Sequence, residues 1–188
     1  KDPAKIIVLD DDPTGTQTVH DISVYTGWSA QEIREGFSEQ NKLFYILTNS
    51  RGLTADESEK LHRQIGENVA MVSREQRKPY LIISRSDSTL RGHYPLETEI
   101  LRQTIEAAGE SVDGEVLCPF FLEGGRYTYG NVHYVKQAGE LVPAAETEFA
   151  QDKTFGYRHS QLPQYIEEKT DGVYRAEDVV CIPLADLR

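Results

Sequence analysis

The stretch KIIVLDDDPTG, residues 5–15, decides the fold class. It opens on a short β-branched apolar run, which is typical of a strand buried on both faces of a parallel sheet. The run ends in three aspartates, a proline and a glycine. The sequence therefore predicts a buried strand whose carboxyl end leads into a polar loop.

Similar apolar runs recur along the chain, at 43–47 (LFYIL) and 80–84 (YLIIS). Shorter candidate strands lie at 22–26, 115–118 and 179–182. Their separation by longer polar stretches leaves room for a helix after most of them.

The helices have their own signals. Ser29 with Glu32 and Thr54 with Glu57 form capping-box patterns, and Pro95 suits the first turn of a further helix. Strands that alternate with helices favour an α/β fold. We therefore expect a three-layer sandwich with a mostly parallel sheet.

The segment 119–157 breaks this rhythm. It is rich in glycine, tyrosine and charge, and it is longer than the usual connection of about 4–6 residues. Its part at 132–142 (VHYVKQAGELV) is typical of a hairpin. We expect residues 1–188 to be a single α/β domain with a hairpin-containing insertion.

Charge and composition narrow the function. The net charge of −11 argues against a nucleic-acid partner. No apolar run is long enough for a membrane span and no signal peptide opens the chain, so we expect no membrane partner and a cytoplasmic location. Cys118 and Cys181 are expected to be buried free thiols. The sequence has no zinc-ligand spacing and no phosphate-binding glycine motif, so we expect no metal site built by this chain.

Candidate binding residues follow the strands, because ligands of open parallel sheets bind at the carboxyl ends of strands. Three carboxylates at Asp10, Asp11 and Asp12 repel one another unless a cation or a hydroxyl proton is shared. They favour a general base or a hydroxyl-binding site, and Gly15 would let a ligand approach the backbone. A solvated acidic turn is the alternative.

Three further segments offer side chains for an anion with hydroxyl groups. Segment 48–52 contributes an arginine and hydroxyls, segment 84–93 two arginines with an aspartate, and segment 119–126 paired glycines with an arginine. Arginine pairs with carboxylates in a bidentate manner, and aspartate and serine suit sugar hydroxyls. The candidate ligands in these segments and in the hairpin are Ser50, Arg51, Asp87, Ser88, Arg91, Gly125, Arg126 and His133.

In their order along the chain, DDDPTG, TNSR, SRSDSTLRGH, PFFLEGGR and AETEFAQD resemble the N-terminal domain of the four-carbon acid sugar kinases. The resemblance implies a two-domain kinase whose N-terminal domain holds the sugar acid. ATP and Mg²⁺ would be bound mainly by a C-terminal domain, so this chain alone would be inactive. The insertion TQTVHD at 16–21 is longer than is usual in the family.

The resemblance also implies roles for individual residues. Arg91 and Arg126 would bind the carboxylate of a tetronate-like acid, with Arg51 as an alternative. Asp87 and Ser88 would bind hydroxyls. Asp12 is the first candidate for the general base, and Asp11 is the second. The expected partners are a small anionic sugar acid and ATP, and we allow for a homo-oligomer.

Two other functions stay open. Asp10, Asp12 and Thr14 after an apolar strand resemble the nucleophile motif of haloacid-dehalogenase phosphatases, with Thr48 as a second match. That Mg²⁺-dependent chemistry needs a lysine and a later acidic pair, whereas the corresponding strand ends here carry Arg85 and Cys118-Pro119. The other alternative is a stand-alone ligand-binding or regulatory domain.

Overall fold

The computed structural model describes residues 4–14 and 19–187, so Gly15 and residues 16–18 of the insertion at 16–21 lie outside the described residues. The chain forms two compact units. Unit 1 runs to Ser86 and resumes at Leu96–Glu115, and unit 2 consists of Asp87–Pro95 and the chain from Val116 onward. Each unit has its own hydrophobic core.

A four-stranded parallel sheet forms the centre of unit 1, in the order β2-β3-β1-β4. The apolar runs of the sequence supply its longer strands, which confirms the predicted α/β fold with a parallel sheet. The strands are β1 (Lys5–Asp10), β2 (Val24–Tyr25), β3 (Leu43–Leu47) and β4 (Tyr80–Arg85).

Unit 1 has three helices: α1 (Ala30–Ser38) connects β2 with β3, α2 (Ala55–Gln76) connects β3 with β4, and α3 (Leu96–Ala107) follows β4. Both predicted capping boxes are formed. The side chains of Ser29 and Thr54 accept hydrogen bonds from the backbone three residues later, and the glutamates there bond back to the cap backbone. Two unsatisfied amides at each helix start thus obtain partners.

The core of unit 1 lies between one face of the sheet and these helices. Ile7 and Leu9 pair in register with Phe44 and Ile46, and all four are buried in one cluster with residues of α1, α2 and α3. Packing is close between α2 and α3, where a Cβ at Gly66 would lie 2.1 Å from the Thr104 hydroxyl oxygen.

Unit 2 contains an antiparallel three-stranded sheet and helix α4 (Leu162–Lys169). Its strands are β5 (Arg126–Tyr129), β6 (Val132–Gln137) and β7 (Glu140–Pro143), which confirms the predicted hairpin region. The core of unit 2 includes Val135, Tyr157 and Tyr165.

Two predicted strands are not formed, at 115–118 and 179–182. Their central valines, Val116 and Val180, are 83% and 86% exposed. A short apolar run becomes a strand only when its backbone finds a neighbouring strand, and no ladder pairs these runs within the described chain. The prediction of buried thiols was wrong for the same reason, since Cys118 and Cys181 lie in these runs and are exposed.

No helix in the ranges 4–14 and 19–187 has the length and apolar character that spanning a bilayer requires.

Candidate functional site

Polar side chains gather at the carboxyl ends of β1 and β4 in unit 1, and we call this group the aspartate cluster. Asp10 ends β1 and pairs in register with Arg85, which ends β4. The Asp10 carboxylate lies 3.0 Å from a terminal nitrogen of Arg85 and is 2% exposed as a residue. The cluster comprises Asp10, Asp11, Asp12, Arg51, Arg85 and Ser86.

Asp11 is held by a bidentate ion pair. Arg51 donates to its two carboxylate oxygens from Nη2 at 2.6 Å and from Nε at 3.1 Å, and the Ser86 hydroxyl donates at 2.7 Å. With its side chain 3% exposed, Asp11 has its acceptor sites engaged by protein groups. The carboxylate of Asp11 therefore holds the guanidinium of Arg51 in place. It has little capacity left to bind a ligand.

Asp12 is the most open of the three aspartates. Its side chain is 28% exposed and lies 3.2 Å from Nη1 of Arg51. Its other oxygen accepts the backbone amide of Thr14 at 2.8 Å and also the Thr14 hydroxyl. Asp12 is therefore anchored but still reachable from solvent.

Burial and the neighbouring arginines act in opposite directions on the first two carboxylates. Burial raises the pKa of Asp10 although Arg85 lowers it, and burial raises the pKa of Asp11 although Arg51 and Ser86 lower it. The two arginines thus limit the cost of placing adjacent acids in a protein interior. A cavity of about 390 Å³ opens beside them, lined by Asp11, Asp12, Pro13, Asn49, Arg51 and Gly52.

A second group in unit 2, the arginine cluster, consists of Asp87, Arg91, Arg126 and Phe149. The guanidinium carbons of Arg91 and Arg126 lie 5.0 Å and 5.5 Å from the centre of the Phe149 ring. Two cations therefore share one aromatic surface, an arrangement that attracts an anion.

The arginines of this cluster differ in their partners. Arg91 donates from Nε to Asp87 at 2.7 Å. Arg126 donates to the carbonyl of Gly124, and its buried Nε has no hydrogen-bond partner among the described residues. A buried donor without a partner is costly, so Arg126 has capacity for an added acceptor.

Two tyrosines hold the backbone of the loop that carries Arg91 through hydrogen bonds. The hydroxyl of Tyr157 donates to the carbonyl of Thr89 at 2.7 Å, and that of Tyr165 donates to the carbonyl of Leu90 at 3.1 Å. Leu90 itself has a left-handed φ of 65°, a conformation that persists when its surroundings hold it. The guanidinium of Arg91 is thus presented by a supported loop.

Gly125 and His133 shape the same cluster. Gly125 has a φ of +74°, and a Cβ there would meet the Lys136 Cβ at 3.1 Å, so the turn into Arg126 favours glycine. His133 is fully buried, with Nε2 2.7 Å from the Ser88 carbonyl and Nδ1 2.9 Å from the Thr128 hydroxyl. Burial lowers the pKa of His133 although the bond to Ser88 raises it. The geometry favours supporting roles for Gly125 and His133.

The sequence profile of the family described as sugar-binding N-terminal domain matches residues 6–186. The chain belongs to this family. No curated protein matches the chain.

Two solved structures share the fold of this sugar-binding N-terminal domain. A domain of unknown function from Bordetella bronchiseptica, solved with bound citrate as a domain-swapped dimer, has a TM-score of 0.63 at 24% identity and covers 86% of this chain. A putative tRNA synthase from Salmonella typhimurium has a TM-score of 0.60 at 19% identity and covers 87%. The chain spans only 39% and 38% of those two proteins.

The predicted ligands of this sugar-binding domain fall into both units. The structure brings Asp11, Asp12 and Arg51 together in unit 1, and Asp87, Arg91 and Arg126 in unit 2.

Ser50 was also expected to contact the ligand, but it is fully buried and donates to Glu97. Its geometry favours a supporting role in place of direct contact.

Phe149 and Glu97 are site residues that the sequence analysis missed. Glu97 had a readable signal, because it shares the spacing of Ile100, Leu101 and Thr104 on the buried face of α3. Phe149 lies within the AETEFAQD motif, but that motif predicted no role for it, since its contact with two arginines depends on tertiary structure. In the two described ranges, no group of three or more His, Cys, Asp or Glu side chains could hold a metal ion.

Proposed function

We propose that this domain holds the sugar-acid substrate of an ATP-dependent kinase that phosphorylates a hydroxyl of a four-carbon acid. Membership of the sugar-binding family supports the sugar component of this proposal. The citrate bound by the Bordetella bronchiseptica protein, a small polycarboxylate, is in keeping with the acid component.

The observation that carries the proposal is the pair of arginines on Phe149. Arg91 pairs with Asp87, while the buried Nε of Arg126 has no hydrogen-bond partner among the described residues. A ligand carboxylate would supply the missing acceptor. Under the proposal, Arg91 and Arg126 bind the carboxylate, and Asp87 with Ser88 binds hydroxyls.

The aspartate cluster supplies the base under this proposal. Asp12 is the first candidate, because its carboxylate is the most exposed of the three aspartates. Asp11 is the second candidate, although its buried ion pair suits it better to orienting Arg51. Removal of the hydroxyl proton by Asp12 would prepare the oxygen for phosphoryl transfer.

ATP and Mg²⁺ would be held mainly by a second domain. The described residues include no group of three or more His, Cys, Asp or Glu side chains that could hold a metal ion, and the sequence carries no phosphate-binding glycine motif. This domain's own contribution is to bind and orient the acid and to accept a proton at Asp12.

The phosphatase alternative is disfavoured by the placement of Asp10. A nucleophilic aspartate must reach the phosphorus atom, but the carboxylate of Asp10 is buried and paired with Arg85. The stand-alone binding domain differs from the kinase only in lacking phosphoryl transfer, so turnover distinguishes the two.

Calorimetry with matched ligands tests the binding proposal. Four-carbon sugar acids should bind the protein, whereas the four-carbon polyols with the same hydroxyls but no carboxylate should bind far more weakly. The two-domain kinase of the proposal should then transfer phosphate from ATP to a bound acid. Equal binding of acid and polyol would overturn the arginine assignment, and binding of acids without any phosphorylation would favour the stand-alone domain.

A further inference from the structure

Unit 1 contains a buried polar network that lies behind the aspartate cluster. Glu97, in the first turn of α3, is 4% exposed. Its Oε1 accepts the hydroxyls of Ser50 at 2.6 Å and Ser58 at 3.0 Å, and lies 3.7 Å from Nε2 of His62. Burying a carboxylate without hydrogen-bond donors costs free energy. The two serine hydroxyls offset that cost for Glu97. We call Glu97, Ser50, Ser58 and His62 the buried glutamate network.

His62 completes the network from α2. Its Nδ1 lies 2.8 Å from the backbone carbonyl of Ser58, which can only accept, so Nδ1 carries the proton of that bond. The other ring nitrogen therefore faces Glu97.

The network leads directly to the arginine that holds the aspartates. Ser50 begins the short 3-10 turn Ser50–Gly52, so Arg51 is its immediate neighbour. The hydroxyl of Thr48 lies 3.2 Å from the Ser50 hydroxyl and 2.9 Å from the Asp10 carbonyl. The backbone amide of Arg51 donates to the Asp11 carbonyl at 3.3 Å. The Ser50–Glu97 bond therefore ties this turn to α3.

The turn needs such an anchor. The residue before it, Asn49, has a left-handed φ of 52° and makes no side-chain cap bond, a conformation that its surroundings must maintain. The guanidinium of Arg51 binds Asp11 in a bidentate manner and also reaches Asp12. A shift of this turn by a fraction of an ångström would break that geometry.

We propose that Glu97 is a positioning residue, which through Ser50 holds Arg51 against Asp11 and Asp12. Its importance for turnover rests on the proposed function, in which Asp12 accepts the proton of the attacking hydroxyl. The structural claim itself needs no substrate. Glu97 touches no reacting group and acts only through the turn.

Nuclear magnetic resonance of the Arg51 Nε–H group provides the test. The signal is observable when the guanidinium is held and is lost by exchange with water when it is released. Glu97→Ala and Ser50→Ala should each lose the signal, while Glu97→Gln should keep it because the amide oxygen still accepts the Ser50 hydroxyl. Glu99→Ala, on the same helix but paired with Arg102, is the control and should keep it.

A second readout is the titration of the Asp11 carboxyl. Arg51 lowers the pKa of Asp11, so release of Arg51 in Ser50→Ala should raise that pKa while the charge of Glu97 is unchanged. If Glu97 served only core stability, Glu97→Ala would lower the unfolding temperature without changing the Arg51 Nε–H signal or the pKa of Asp11.

Retention of the Arg51 signal in folded Glu97→Ala and Ser50→Ala would overturn the proposal. If Glu97→Ala does not fold, the smaller change Ser50→Ala decides the outcome alone. Both readouts are taken without ligand, so they test the role of Glu97 even if the kinase proposal is wrong. Conversely, a negative result for Glu97 would not contradict the kinase proposal.

Discussion

Arg91 uses the planar shape of its guanidinium for two contacts, an Nε bond to Asp87 and a face over Phe149. Lysine keeps the charge but has neither the fork nor the plane. Arg91→Lys should therefore weaken binding of a four-carbon sugar acid by roughly 1–3 kcal/mol, the scale of a charge-assisted hydrogen bond. Calorimetry would measure this loss, and Arg158→Lys, at an exposed arginine, should leave binding unchanged. An Arg91→Lys protein with undiminished affinity would place the carboxylate elsewhere.

Asp12 and Asp11 differ in access, and their asparagine variants should differ accordingly. Asp12→Asn keeps the size and the bonds to Thr14 but cannot take a proton, so kcat of the proposed two-domain kinase should fall by about 10²–10⁴ with little change in KM. Steady-state kinetics on a panel of sugar acids measures both constants. A silent Asp12→Asn together with an inactive Asp11→Asn would move the base to Asp11.

The pKa of Asp11 links this residue to stability. Because that pKa is raised above the ordinary 3.8, the folded protein keeps the proton to higher pH than the unfolded chain. The contribution of Asp11 to the free energy of unfolding therefore falls as pH rises from 3.8 to the folded value, and is constant above it.

Arg51→Met removes the cation that lowers the pKa of Asp11 and should extend this decline to higher pH. Urea unfolding across a pH series would show the change. Arg63→Met, which breaks the surface pair with Glu59, is the matched control. An unchanged pH profile in Arg51→Met would mean that Arg51 does not influence the ionisation of Asp11.

At the level of elements, the contact between α2 and α3 predicts the effect of adding one methyl group. In an exposed helix, replacing glycine by alanine stabilises by about 1 kcal/mol. At Gly66 the new Cβ would lie 2.1 Å from the Thr104 hydroxyl oxygen and 2.8 Å from its Cβ. Gly66→Ala should therefore destabilise unit 1 by about 1–3 kcal/mol.

Thermal or urea unfolding measures this cost. Glu67→Ala, at the exposed neighbouring position of the same helix, changes helix propensity without a clash and should be close to neutral. If Gly66→Ala were as stable as the natural protein, the helices would be less closely packed than the structure has them.

The elements that the sequence predicted correctly are those with local causes. Capping residues and apolar runs act within a few positions, so α1, α2 and the three longer strands were predictable. The runs at 115–118 and 179–182 are also rich in apolar residues. A strand needs a neighbouring strand as well, and the composition of a short run does not show whether one is present. For the same reason Arg91 was predictable as a candidate, while its contact with Phe149 was not.

For the whole molecule, the proposal predicts that the sugar acid and ATP are bound mainly by different domains. The chain carries the arginine and aspartate clusters but no recognisable nucleotide motif, so residues 1–188 should bind ATP weakly and show no kinase activity. Calorimetry with ATP and a coupled kinase assay would measure both. Micromolar ATP binding by these residues would contradict the prediction, and the sugar acid serves as the positive control for folded protein.

The two units alternate along the sequence, and this limits how recombination can transfer them between genes. Unit 2 takes residues 87–95 from within the stretch that otherwise builds unit 1. A single recombination breakpoint therefore cannot separate the two units, because every breakpoint within the chain divides at least one of them. Natural shuffling would have to move both together, so we expect the segment DSTLRGHYP to travel through evolution with the flanking strand and helix as one cassette.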